Sequence, residues 1–371
     1  MKTLIRLATL LTAIVGCQVF VLSAQAATAD SDFAAVCSDP NVIKCVNFDT
    51  DKDFDKGRGG TQGAYGSNFG LFPPYGTSDY TRATRDTTQA AAGGSSLRFT
   101  IPSNTASDTS GAWFTNFSDD LSVQMGEGQE VYVQWRQRFS PEFLNTQYTG
   151  IDNQALGNGW KMLDVSAGDL PGCTPSTANT TYCSTTCWDF TVVVQNTNQN
   201  KVPQVYTNCA GRWVYWPLQG YTTAPTVQNV VGCLYPNYAS PPCVKMSPNE
   251  WMTFQVRVKV GHWNTWDSTI QMWVAHEGEA SKMTIDCSPT AVNPCTNGVD
   301  GQAAKGWYLE NTNPAFKVGK VWLLPYHTKK NPNQVTPVAY TWYDNLVISK
   351  TKIPDPAVGV RPNPPGSVKA Q

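Results

Sequence analysis

Apolar and polar positions alternate along many short stretches of the chain, which marks strands with one buried and one wet face. In "MTFQVRVKV", Phe254, Val256, Val258 and Val260 share one face, and Gln255, Arg257 and Lys259 share the other. "EVYVQWRQRF" repeats the arrangement, with Val131, Val133, Trp135, Gln137 and Phe139 against Tyr132, Gln134, Arg136 and Arg138. Gln137 interrupts the apolar row, so the face turned to the core stays open at this point. Further strands are predicted in "GWKMLDV", "WDFTVVVQN", "STIQMWVAH", "KVWLLPYH" and "AYTWYDNLVIS", separated by segments rich in Gly, Pro, Asn and Thr. No stretch keeps a long helical period. Many strands joined by turn signals predict an all-β fold, an antiparallel two-sheet jelly-roll β-sandwich. There is no internal repeat and no break in composition within residues 33 to 353, so one domain over 27–353 is expected.

The two ends depart from this pattern. Lys2 and Arg6 precede an apolar run, and Ala24 and Ala26 supply small residues for cleavage, so residues 1–26 read as a signal peptide. A competing lipobox reading of "IVGC" puts a lipid on Cys17 and is the one route to a membrane anchor. The Pro-rich segment 354–371 lacks a core pattern and reads as a tail. Export to the periplasm or the outside agrees with the cysteines. The chain has eleven, and loss of Cys17 with the leader leaves an even number. Local bridges are expected for Cys37 with Cys45, Cys233 with Cys243, and Cys287 with Cys295. Cys173, Cys183, Cys187 and Cys209 form the other two, with their pairing open. No Cys-x-x-Cys occurs and only three histidines exist, so disulfides outweigh a zinc site.

A formal net charge of −1 gives no reason to expect nucleic acid, whose binding neutralises many phosphates. The aromatic content changes the picture more. Thirteen Trp, 15 Tyr and 14 Phe suit both a sandwich core and a sugar-binding groove, because a ring can cover an apolar sugar face while its polar tip stays wet.

The strand "VYVQWRQRFSPEF", the later "GWKMLDV" and the closing "WLLPYHTKKNPNQVTPVAYTWYDNLVIS" resemble bacterial secreted proteins of the concanavalin A-like jelly roll, among them polysaccharide lyases acting on uronic-acid polymers. The Gln-x-His pair and Tyr-Phe-Lys strand of alginate lyases of this fold are absent as such. The resemblance implies the fold, export and a polysaccharide partner, and more weakly cleavage by β-elimination.

That chemistry needs a group to neutralise the uronate carboxylate, a base for the proton on the neighbouring carbon, and an acid for the leaving oxygen. The expected catalytic set is Tyr326 as base or acid, His327 as its partner, and Arg136, Lys161 and Arg257 as carboxylate neutralisers. Arg138, Gln195, Asn196, Lys259, Trp273, Trp322 and Lys329 are the expected substrate contacts, with Tyr343 as a further stacking ring. All of this requires that the polar faces of separate strands form one groove.

Two other classes compete. Glycoside hydrolysis needs two facing carboxyl groups, and Asp164, Asp189 and Asp344 do not alternate on one strand; Asp344 reads as the organiser of a hydrogen-bond network. A lectin-like protein needs only the aromatic groove. No cofactor is required, and the protein is expected to act as a monomer. The run Asp49, Asp51, Asp53, Asp55 permits a structural calcium, although the glycine and glutamate of an EF-hand are out of register and an Asx-turn-rich loop is the plainer reading.

Overall fold

The computed structural model describes residues 31–55, 69–72, 83–105, 111–153, 160–170, 191–196, 201–208, 214–216, 243–290, 306–311, 313, 315–327 and 329–356. The signal peptide, the C-terminal tail beyond residue 356, Asp189, and Cys173, Cys183, Cys187, Cys209, Cys233 and Cys295 lie outside these residues. The strands are β1 (Val42–Val46), β2 (Phe69–Phe72), β3 (Thr84–Asp86), β4 (Ser96–Ile101), β5 (Ala112–Asn116), β6 (Glu130–Phe139), β7 (Lys161–Ala167), β8 (Thr191–Asn196), β9 (Pro203–Asn208), β10 (Val214–Trp216), β11 (Met252–Lys259), β12 (Trp266–Ala275), β13 (Lys282–Cys287), β14 (Trp307–Tyr308), β15 (Val318–Leu323) and β16 (Ala339–Ser349).

They form two sheets. The larger has nine strands and runs β13-β12-β11-β6-β16-β4-β3, with β1 on β16 and β14 on β12; the smaller has seven and runs β10-β9-β8-β7-β15-β5-β2. All the pairings are antiparallel. The chain therefore forms the expected antiparallel two-sheet jelly-roll sandwich.

One core lies between the sheets because the alternation is obeyed on both sides. Val131, Val133, Trp135, Phe139, Phe254, Val256 and Val258 come inward from the larger sheet, and Leu163, Val165, Val192, Val194, Val321 and Leu323 from the smaller. The open parity of β6 is thereby fixed, and Gln137 is a core residue. It is fully buried, accepts from Trp135 Nε1 at 3.1 Å and donates to Thr341 Oγ1 at 3.0 Å, so its polar atoms are matched where an apolar side chain had been expected.

At one end of the sandwich the short helix Pro141–Asn145 closes over the core. Ser140 caps it by accepting from Phe143 N, and Pro141 occupies its first turn, where the missing N–H costs nothing. The buried Phe143 then packs edge-on against Trp160 at 4.4 Å between centroids. The Cys37–Cys45 bridge forms as expected. Cys243 and Cys287 are also disulfide-bonded, to partners outside the described residues.

Candidate functional site

The outer face of the smaller sheet collects the phase of "KVWLLPY" that points away from the core. Trp322 and Tyr326 pack with Ala112, Phe114 and Leu324 into a small aromatic patch. Cross-strand register extends this face sideways. Trp322 lies between Phe114 on β5 and Asp164 on β7, Asp164 is opposite Val193 on β8, and Val193 is opposite Tyr206 on β9. A second row holds Tyr326, Lys161, Gln195 and Gln204, since Lys161 N donates to Tyr326 O at 2.9 Å and Gln195 pairs with both Lys161 and Gln204.

Lys161 reaches this face through a local irregularity. Strict alternation would place Lys161 and Leu163 on the same side. The register shifts between them, and both Met162 and Leu163 are fully buried in the core. A bulge of this kind re-aims side chains, and here it turns Lys161 outward beside Asp164. Its ammonium lies 5.3 Å from the centre of the Tyr326 ring and 3.9 Å from Asp164 Oδ2. The Asp164 carboxyl is buried, and burial raises its pKa while Lys161 opposes the rise. Its Oδ1 has no hydrogen-bond partner among the described residues.

One row further along, Lys320 is buried in an ion pair with Asp169 at 2.5 Å, and Asn116 donates to the same carboxylate at 2.8 Å. These groups tie the sheet to the segment after β7.

The remaining predicted site residues divide between other locations. His327 follows Tyr326 by one position and so points to the opposite side. It is buried against Phe143, Tyr148 and Trp160, and burial, aided by the nearby Lys330 charge, depresses its pKa to about 3. An imidazole held neutral inside the sandwich does not partner the Tyr326 hydroxyl outside it. Asn196 likewise faces inward. Lys329 is exposed at a turn with φ of 60°, and Tyr343 is a core ring whose hydroxyl donates to Met162 O at 2.8 Å.

Arg136, Arg138, Arg257, Lys259 and Trp273 belong to the outer face of the larger sheet, on the far side of the core from Tyr326. Arg136 donates to Trp251 O at 2.9 Å and lies 3.5 Å from Glu277, and burial lowers its pKa. Arg138 bonds Asn249 O. Arg257 pairs with Glu130 at 2.5 Å and donates to Gln271 at 2.7 Å. Trp273 is covered, packed with Tyr132, Ile353, Phe33 and Val36 beneath the Lys352 ammonium. The single groove expected from the sequence is therefore two faces, and the arginines do not share one with Tyr326.

Sequence reading passed over Phe114, Gln204 and Tyr206, because nothing in their own stretches says which sheet they join. The buried Asp344 accepts from Ala91 N at 2.7 Å and Asn345 N at 2.8 Å, the network role its sequence context suggested.

The acidic loop does not converge on a point. Asp49 accepts from Gly94 N and Ser95 N at 2.7 and 2.9 Å, Asp51 pairs with Arg85, and Asp53 accepts from Thr50. Asp55's side chain lies outside the described residues. Among the described residues no group of three or more His, Cys, Asp or Glu is placed to hold a metal ion. Nor is any described helix long and apolar enough to cross a membrane.

No protein-family model matches the sequence, and no curated protein is significantly similar to it. Some solved structures are similar to this chain at the level of fold. An alginate lyase from Aplysia kurodai is 11% identical, with 72% of this chain and 86% of that one covered and a TM-score of 0.41. An endo-β-1,4-glucuronan lyase from Trichoderma reesei is 13% identical over 78% and 96%, with a TM-score of 0.37. The catalytic domain of a glycoside hydrolase family 131 protein from Coprinopsis cinerea is 8% identical over 83% and 97%, with a TM-score of 0.33. These neighbours are polysaccharide lyases and a glycoside hydrolase, and the likeness is one of fold.

Proposed function

We propose that this is an exported polysaccharide-active protein that cleaves a uronic-acid-containing glycan by β-elimination on the outer face of the smaller sheet. The observation that carries the reading is the β7 bulge, which sets Lys161 beside Tyr326 on a face that also offers the half-buried Trp322 for stacking.

In this reading Lys161 and the Gln195 amide hold the uronate carboxylate and draw off its charge, so the proton on the adjacent carbon becomes acidic. The Tyr326 phenolate oxygen serves as the base. That oxygen takes the proton as the bond from the next carbon to the glycosidic oxygen breaks. The electron pair left behind forms the carbon–carbon double bond. Tyr326 then hands the proton to the leaving oxygen, so the enzyme ends as it began.

The test is ultraviolet absorbance of uronate polymers incubated with the protein. A lyase creates an unsaturated uronate that absorbs at short wavelength, and Tyr326→Phe should remove that signal while leaving the fold and sugar affinity in place. New reducing ends without absorbance would mean hydrolysis. A fully active Tyr326→Phe protein rules out the assignment. A second reading, binding without catalysis, is favoured by the half-buried rings of Trp322 and Tyr326 on this face, which can stack sugars with no acid or base.

A further inference from the structure

Directly behind the row Tyr326, Lys161 and Gln195 lies a second row formed by their immediate chain neighbours, His327, Trp160 and Asn196. Trp160 pairs with His327 as a β-bridge, and Asn196 N donates to Trp160 O at 2.8 Å, so the three stand side by side on the inner face. Tyr148 lies against the imidazole with ring centroids 4.4 Å apart. All four are buried, at 4% exposure or less.

Among the described residues His327 Nε2, Trp160 Nε1 and both amide atoms of Asn196 have no hydrogen-bond partner, and the Tyr148 hydroxyl has only the Thr146 side chain beside it. One orphaned buried group costs roughly 1–3 kcal/mol, so these four atoms together rival the whole stability of an ordinary domain, roughly 5–15 kcal/mol. A folded sandwich does not tolerate that cost, and something that forms hydrogen bonds must meet these atoms.

The donors and acceptors say what it is. His327 gives its other ring N–H to Pro325 O, which leaves Nε2 as an acceptor. Trp160 Nε1 can only donate. The Tyr148 hydroxyl and the Asn196 amide can do both. No carboxylate or thiolate belongs to the set, which speaks against a metal ion, and the nearby Lys330 ammonium is already bonded to Thr105 O. A mixed, neutral collection of this kind fits water, which donates two hydrogen bonds and accepts two.

We propose that His327, Trp160, Tyr148 and Asn196 form a built site for ordered internal water, and that the hydrated row behind the sheet holds Tyr326, Lys161 and Gln195 in position from the rear. The water site does not rest on the lyase reading, because its residues touch no substrate.

Water ¹⁷O relaxation dispersion on the full chain counts long-lived internal waters and so tests the site in solution. The wild type should show such a contribution, and His327→Phe, which fills the place without an acceptor, should lose at least one water. Should His327→Phe fail to fold, Tyr148→Phe removes only a hydroxyl and should lower the same signal. A signal unchanged in both variants, or a high-resolution crystal structure in which the four side chains pair with protein groups and no water stands within hydrogen-bond distance of His327 Nε2, overturns the proposal. Loss of the water with no change at the Tyr326 face, read from the chemical shift of a labelled Tyr326 ring, would overturn the positioning role alone.

Discussion

The two outer faces of this sandwich carry similar kinds of side chain and put them to different uses. On the larger sheet the cations are fixed by protein partners: Arg136 by Trp251 O and Glu277, Arg257 by Glu130 and Gln271. That face is also crossed by both ends of the described chain, with Phe33 and Val36 packed on Trp273 and Tyr132, and Gln255 exchanging two hydrogen bonds with Ile353. On the smaller sheet the Lys161 ammonium stands at 3.9 Å from a carboxylate whose other oxygen is unmatched among the described residues, beside an aromatic patch. A cation already neutralised by hydrogen-bonded neighbours has little left to offer an incoming anion, and desolvating it again costs more than it returns. On the proposed reading, the larger face serves structure and the smaller one chemistry.

The largest effect that tests this division is at Tyr326. Loss of a group that moves a proton in the transition state typically costs about 10²–10⁴ in rate, so Tyr326→Phe should reduce elimination by that much with its melting temperature nearly unchanged. Arg136→Ala should do the reverse. It strips a buried cation from beside Glu277 and Asp344, and breaking such a group typically costs about 3–5 kcal/mol. Denaturant titration should show that loss, while turnover per folded molecule stays within about twofold, a margin of ~0.4 kcal/mol. If Arg136→Ala instead folds normally and is inactive, the division of labour between the faces is wrong.

How far these roles could be read in advance depended on the distance over which the information is local. Strand parity is local: "KVWLLPYH" by itself places Lys320, Trp322, Leu324 and Tyr326 on one side, and the same count puts His327 on the other. Pairing His327 with Tyr326 overlooked that count. The inward set of β11 was legible for the same reason, while β6 stayed ambiguous because Gln137 needs Thr341, more than two hundred positions away, to be satisfied. Sheet membership is not local at all. Both β6 and β7 present cations on a polar face, and only the strand order shows that those faces point in opposite directions. The bulge at Lys161 left a trace, two consecutive apolar residues in "KMLD", but two such residues equally suit an unbulged strand end.

A smaller effect is expected from acid. The folded pKa of His327, about 3, lies below its ordinary value of 6.5. The unfolded chain therefore binds the extra proton between those limits. The stabilisation from keeping this ring neutral is complete above pH 6.5 and is lost progressively as pH falls towards 3. The full difference is at most about 4–5 kcal/mol, and only a part, ~2 kcal/mol, is reached by pH 5. Lys330 and Tyr148 are the titratable groups facing the ring. Unfolding free energies measured from pH 7 to pH 5 should fall for the wild type, and less steeply for His327→Phe. Equal slopes would mean that the imidazole can reach a proton without leaving the core.

The smallest effect sharpens the contrast most finely, because it concerns an arginine that keeps part of its surface in water. Arg257 lies at 2.5 Å from Glu130 with its guanidinium 5.6 Å from the centre of the Tyr132 ring, and the two charged side chains keep 21% and 32% of their exposure. Water and salt screen a pair in that position, and cross-strand pairs of this kind contribute about 0.2–1 kcal/mol. A double-mutant cycle of Arg257→Met and Glu130→Gln should return a coupling of that size, shrinking as salt is raised, with affinity for uronate oligosaccharides unaltered in every member of the cycle. The sugar measurement decides the matter. Affinity that drops with Arg257→Met but is spared by Glu130→Gln would mean that the guanidinium leaves its carboxylate for the substrate, which a side chain committed to the larger sheet's own ion pair does not do.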